Sequence, residues 1–328
     1  MASIPDAQTA VQPRLKNFPV SFFAIVMGLA GLTLATQRLQ HALGGNPLIP
    51  LTVLSITILT FIVIAALYAT KAARYPDAVA EEWNHPVRIC FFPAISISLI
   101  LIATAMAKAA PGPMAVTIWA VGTFLHLCGT LAVVSAWIGH RPFEAVHINP
   151  AWFIPAVGNI LVPVAGVGFG FVEVSWFFFS VGLLFWLVLL TLVFNRLIFH
   201  NPLPAKLMPT LVILIAPPAV GLIAYIQFAG GLDPFARILY YASALFFLII
   251  AAQIGKLRRL PYALSWWAYS FPIAAFTIAT FVYADLTHSG PHRMIGFGLY
   301  GVLVCVILLL VAKTLGAISR REICVPEN

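Results

Sequence analysis

Apolar residues run through this chain in long blocks separated by short polar joints, and ten of the blocks have bilayer-spanning length. They cover 18–35, 48–70, 87–107, 114–138, 148–167, 174–199, 209–228, 235–255, 264–284 and 294–316. The pattern predicts an all-α polytopic membrane protein in which residues 18–316 form one ten-helix transmembrane domain. Residues 1–17 are polar, contain Pro5 and Pro13, and are expected to be a disordered cytoplasmic tail without a cleaved leader. Residues 317–328 are expected to form a second cytoplasmic tail.

Proline divides the blocks into two classes. Pro93, Pro155, Pro163, Pro217, Pro218 and Pro272 all lie well inside odd-numbered blocks, whereas the even-numbered blocks have none beyond the first turn. Proline removes a helical hydrogen bond and crowds the preceding turn, so at membrane depth it survives where protein or a wet cavity satisfies the freed backbone. Four odd blocks also have proline at their start (Pro19, Pro86, Pro150 and Pro209), and Gly28 occupies the matching break position in the first. The even blocks are smoother and rich in Leu, Val, Ile and Phe, which suits packing or contact with lipid. Five helical hairpins follow, with odd helices lining a central pore, kinked at Pro93, Pro155, Pro217, Pro272 and Gly28, and even helices outside.

Composition agrees with this reading: 62% of residues are hydrophobic and 9% charged, far from a soluble domain, where about a quarter are charged. The net charge of +8 could indicate nucleic acid, but the distribution of basic residues assigns it to topology. Fourteen Lys and Arg fall in one alternate set of connections, including Lys71, Arg141, Arg196, Lys256 and Arg321, against Arg38, Lys108, Arg237 and Arg293 in the other. The positive-inside rule then puts both termini in the cytoplasm, which requires an even number of spans. No nucleic-acid partner is expected. Cys90, Cys128 and Cys305 sit in apolar blocks and Cys324 in the tail, a spacing that fits neither a disulfide framework nor a metal site.

The odd blocks carry almost no ionisable residues at depth. Their polar content is neutral, and Ser21, Ser96, Asn159, Ser270 and Thr277 are the candidates for the lining. Hydroxyl dipoles and backbone N–H groups freed at kinks suit anions, while cytoplasmic Lys and Arg raise the local anion concentration without binding tightly. Aromatic rings stand beside the breaks in Phe91-Phe92-Pro93, Phe153-Ile154-Pro155 and Tyr269-Ser270-Phe271-Pro272, and a ring turned inward there would plug a narrow path. Phe271 falls about two turns into the ninth block.

Other signals carry less. Gly296, Gly298 and Gly301 have dinucleotide-loop spacing but lie inside an apolar block, where glycine permits close helix packing. Asp285, His288 and His292 surround a Ser-Gly-Pro turn and read as a loop, not a metal site. His126 reads as a packing residue, and His140 and His147 as water-facing. No nucleophile and base stand out, so neither enzyme activity nor a cofactor is expected.

The runs Asn149-Pro-Ala-Trp-Phe-Ile-Pro-Ala-Val-Gly-Asn159 and Trp266-Trp-Ala-Tyr-Ser-Phe-Pro272, in a ten-span chain, resemble the tellurite-resistance/dicarboxylate transporter family. That family contains the plant slow anion channels and bacterial TehA. The resemblance implies a homotrimer in the bilayer, one pore per subunit lined by the five odd helices, and a gate formed by a ninth-helix phenylalanine, here Phe271. A second occluding aromatic on the third helix would be Phe91 or Phe92. The expected location is the bacterial inner (plasma) membrane. The leading functional expectation is a gated channel for small inorganic or carboxylate anions. The alternatives are a carrier for C4-dicarboxylates or oxyanions such as sulfite or tellurite, with or without proton coupling, and a membrane sensor that transports nothing.

Overall fold

The computed structural model describes residues 14–139 and 143–325; Pro5, Pro13, His140 and Arg141 lie outside them. Among the described residues, nine helices are long and apolar enough to cross a membrane: α1 (Val20–Leu43), α2 (Leu48–Arg74), α3 (Arg88–Ala109), α4 (Pro113–Ile138), α6 (Val172–Phe199), α7 (Met208–Ala229), α8 (Pro234–Ala252), α9 (Leu264–Thr287) and α10 (Gly290–Ser319). The fifth apolar block forms the shorter helical segment α5 (Pro150–Gly166). Pro155 and Pro163 each remove a donor inside it, and it runs as the pieces Pro150–Trp152, Phe153–Val157, Gly158–Leu161 and Val162–Gly166.

Burial separates two classes of segment. In α1, α3, α7 and α9 the most apolar stretch is 72–78% buried, whereas in α2, α4, α6, α8 and α10 it is 22–33% buried. Each odd segment packs against the even one that follows it. The odd segments also pack on one another, α1 on α3, α3 on α5, α5 on α7, α7 on α9 and α9 back on α1, so the series of contacts closes on itself.

Backbone geometry makes the same division. All five odd segments open in a 3-10 turn (Val20–Phe22, Arg88–Phe91, Pro150–Trp152, Met208–Ile215 and Leu264–Tyr269), and the even segments are continuous α-helices. A downstream proline cannot donate to the carbonyl four residues back, so the preceding turn tightens to the shorter bonding pattern. α1 has no such proline. Its 3-10 turn follows Pro19, and its helix then runs unbroken from Phe23 to Leu43 straight through Gly28.

A buried ion pair fixes the start of α1. Lys71 Nζ, at the end of α2, lies 2.8 Å from Glu82 Oε2 and also donates to the Phe18 carbonyl at 2.9 Å. Glu82 belongs to the joint helix Pro76–Asn84, which the apolar pattern did not predict. Its carboxylate further accepts the Val20 N–H at 3.1 Å and the Tyr68 hydroxyl at 2.9 Å. Two charges out of water are tolerable only with such full hydrogen bonding.

Candidate functional site

The odd segments enclose a central cavity of about 80 Å³, and every residue on its wall comes from one of them. α1 contributes Ser21, Ala24 and Met27; α3 contributes Phe91 and Ile97; α5 contributes Phe153, Ile154, Val157, Gly158 and Leu161. α7 adds Thr210, Ile213, Ala216, Pro217 and Val220, and α9 adds Leu264, Ser265, Trp267, Ala268, Phe271 and Pro272. None of these side chains is ionisable. The space suits a few waters or one small ion, since a single water needs about 10–15 Å³ measured in this way.

The structure separates the aromatic candidates. Phe271 and Phe91 line the cavity. Phe92 does not: its ring stands edge-on to Trp83 at 5.1 Å and to Tyr68 at 6.4 Å, toward the joint between α2 and α3. Successive residues of a 3-10 turn point about 120° apart, so only one of two adjacent rings in Arg88–Phe91 and its end can face inward. Phe153 is a third ring on the wall.

The polar candidates divide more sharply. Of Ser21, Ser96, Asn159, Ser270 and Thr277, Ser21 alone is on the wall. Ser96 donates to the Pro93 carbonyl at 2.8 Å and meets His126 Nδ1 of α4 at 2.9 Å. Asn159 Nδ2 donates to the Ala156 carbonyl at 2.7 Å and to Thr130 Oγ1 at 3.0 Å. Ser270 and Thr277 donate to the carbonyls of Trp267 and Ile273, at 2.6 and 2.7 Å. These four hydroxyls and amides satisfy backbone near the breaks. The wall instead receives Thr210, whose hydroxyl is bonded to the Leu207 carbonyl, and Ser265, whose buried Oγ has no hydrogen-bond partner among the described residues.

Even helices supply the remaining donors to the broken backbone. Trp119 Nε1 donates to the Val162 carbonyl at 3.0 Å, Thr130 to the Pro155 carbonyl at 2.7 Å, and Ser243 to the Ile215 carbonyl at 3.0 Å. Each acceptor sits within two residues of a proline in α5 or α7. Satisfying these carbonyls from behind keeps the kinked turns dry on their outer side. Pro217 and Pro272 themselves touch the cavity, whereas Pro93 and Pro155 are turned from it; a methyl at Gly129 of α4 would lie 3.3 Å from Pro93 Cγ.

Gly28 and Gly31 act by their small size. A Cβ at Gly28 would lie 2.8 Å from Ser270 Cβ, and one at Gly31 would lie 2.8 Å from Ala274 Cβ and 3.3 Å from Phe271 Cδ2. α1 thus approaches α9 closely at the level of Phe271. The expected break at Gly28 is not seen: the α-helix continues past it, since no proline there removes a donor, and the glycine instead makes room for α9.

Comparison with known proteins agrees with a membrane-embedded path. The sequence profile of the family described as "Voltage-dependent anion channel" matches residues 17–315. The chain is similar to the S-type anion channel SLAH3 of Arabidopsis thaliana, 28% identical over 310 residues that cover 92% of this chain and 49% of that one. It is similar to the guard cell S-type anion channel SLAC1 of the same plant, 27% identical over 92% of this chain and 56% of that one. The tellurite resistance protein TehA homolog of Haemophilus influenzae is 28% identical over 78% of each chain. This chain therefore spans about half the length of these two plant relatives. With 17–315 matched and nine apolar helices of membrane-crossing length among the described residues, the chain is an integral membrane protein that belongs to the voltage-dependent anion channel family.

Proposed function

We propose that this chain is a gated anion channel, in which small inorganic or carboxylate anions cross each subunit through the central cavity and Phe271 holds the path closed. The observation that carries the reading is a cavity walled by the five odd segments alone, with no ionisable side chain on it. An anion there meets hydroxyls, loosened peptide groups and rings, partners weak enough to let it leave as readily as it enters. Phe271 and Phe91 enter from α9 and α3, which are separated around the contact series by α1. A space this small, with both rings on its wall, has little room for a hydrated ion, which supports reading the described conformation as shut.

The same proposal takes α5 as the fifth of ten spans in five hairpins, both termini as cytoplasmic, and the assembly as a homotrimer in the inner membrane. The crowding of basic residues into alternate connections supports the orientation. The names of the plant relatives favour a channel, and that of the TehA homologue favours an oxyanion among its cargoes. A proton-coupled carrier would need a titratable group on the path, and the wall offers none.

Flux from purified protein in liposomes, with chloride, nitrate, sulfite and malate, tests the reading. The expected result is anion movement that follows the electrical gradient and ignores a pH difference. Uphill accumulation of malate or sulfite driven by a pH difference alone would replace the channel with the carrier.

A further inference from the structure

A second pocket, of about 770 Å³, lies at the end of the bundle where α1, α3 and α9 finish and α2 begins, and it shares no wall residue with the central cavity. Its volume is in the range of built ligand sites. One side is basic and polar, with Gln37, Arg38, Gln40 and His41 from α1 and Lys108 from α3; the other is apolar, with Pro47, Leu48, Pro50 and Leu51 at the start of α2.

The charges on this pocket are unbalanced. Arg38 and Lys108 share its wall, and no acidic side chain lines it. Asp285, the acid whose charge acts on Arg38, is already held by Arg293 at 3.2 Å. Arg38 Nε–H is buried without a hydrogen-bond partner among the described residues, as is Gln37 Oε1. Only four Lys or Arg occupy the connections at this end of the chain, and two of them converge here. A guanidinium fork beside an ammonium matches the oxygens of a phosphate.

The apolar side selects the source of that phosphate. Leu48, Ile49 and Leu51 are exposed in the first turn of α2, at the level where a membrane-crossing helix meets the headgroups. A dissolved ion has no use for this surface, whereas the glycerol and first methylenes of a lipid would cover it. We infer that this pocket holds the phosphate of an anionic phospholipid, with Arg38 and Lys108 on the headgroup and the Leu48–Leu51 turn against the chain stems. The inference does not depend on Phe271 or on which anion is conducted.

The test is lipid retention by the full chain, reconstituted in nanodiscs of equal phosphatidylglycerol and phosphatidylcholine, extracted and weighed intact by native mass spectrometry. Wild-type protein is expected to keep phosphatidylglycerol in preference. Each basic group near an anionic headgroup accounts for about a fivefold change in affinity, so the Arg38→Gln/Lys108→Gln double variant should lose about twenty-five-fold. Arg38→Lys, which keeps the charge, should retain most of the preference and shows that the fold tolerates change here. Equal retention of the two lipids, or an unchanged preference in the double variant, overturns the inference. So does displacement of the bound lipid by millimolar inorganic phosphate, which would make this a site for a dissolved ion.

Discussion

Gly31 of α1 lies directly against Phe271 of α9: a single methyl added at Gly31 would sit 3.3 Å from the Phe271 ring and 2.8 Å from Ala274 Cβ. The ring is therefore held from behind by bare backbone, and its position depends on how closely the two helices approach. Gly31→Ala should force α1 and α9 apart, because the Ala274 methyl has no freedom to give way, and so loosen the closure. The expected outcome is a raised resting anion current in planar bilayers with a lowered melting temperature. A resting current equal to wild type, at equal protein incorporation, would separate Phe271 from its glycine support.

The Lys71–Glu82 pair carries a stability prediction. Removing one member of a buried pair leaves an uncompensated charge and costs about 3–5 kcal/mol. Glu82→Leu should therefore lower thermal stability in detergent strongly, and Lys71→Met added to it should restore much of the loss. The pair also holds the Phe18 carbonyl and the Val20 N–H, so the single variant should expose the start of α1 to proteolysis first.

The donors supplied by even helices predict smaller losses. Thr130→Val and Ser243→Ala each remove the hydroxyl that satisfies a carbonyl beside a proline, at 2.7 and 3.0 Å respectively. Each is expected to cost about 1 kcal/mol, read from thermal unfolding in detergent, the net worth of one buried hydrogen bond; at Pro155 the Asn159 amide, 3.4 Å away, still reaches the carbonyl. Thr130→Ser, which keeps the hydroxyl, should sit close to wild type.

Conduction itself should be insensitive to pH. No side chain on the cavity wall titrates, so the current of an opened variant should stay flat between about pH 5 and 8, the range in which an unperturbed histidine changes charge. A sigmoid rise toward acid would mean that a group behind the wall, with His126 on Ser96 the first to examine, reaches the path.

The division into broken and continuous segments could be read from the sequence because proline acts locally. Pro93, Pro155, Pro217 and Pro272 mark the segments that break, since a missing N–H acts at its own position whatever surrounds it. The first segment was harder to read. Its opening turn Val20–Phe22 is imposed by Pro19 and by the distant Lys71 and Glu82, which no local pattern connects. Phe91 could not be told from Phe92, because the choice depends on the rotation of a 3-10 turn. Ser96, Asn159, Ser270 and Thr277 looked like lining residues because they are polar at membrane depth. Their partners turned out to be carbonyls and side chains of the protein itself, a demand set by tertiary packing. Gly31 carried no signal at all, since its role is defined only by the ring across from it.

The central claim is that Phe271 closes the path. Anion current through Phe271→Ala, compared in one membrane system with wild type and with Phe92→Ala, tests it most directly. Phe92 is the control because its ring packs on Trp83 and Tyr68, away from the cavity. At least about tenfold more current is expected in Phe271→Ala, equivalent to roughly 1.4 kcal/mol off the barrier, and no gain in Phe92→Ala. Equal currents in all three proteins, at matched incorporation, would contradict it.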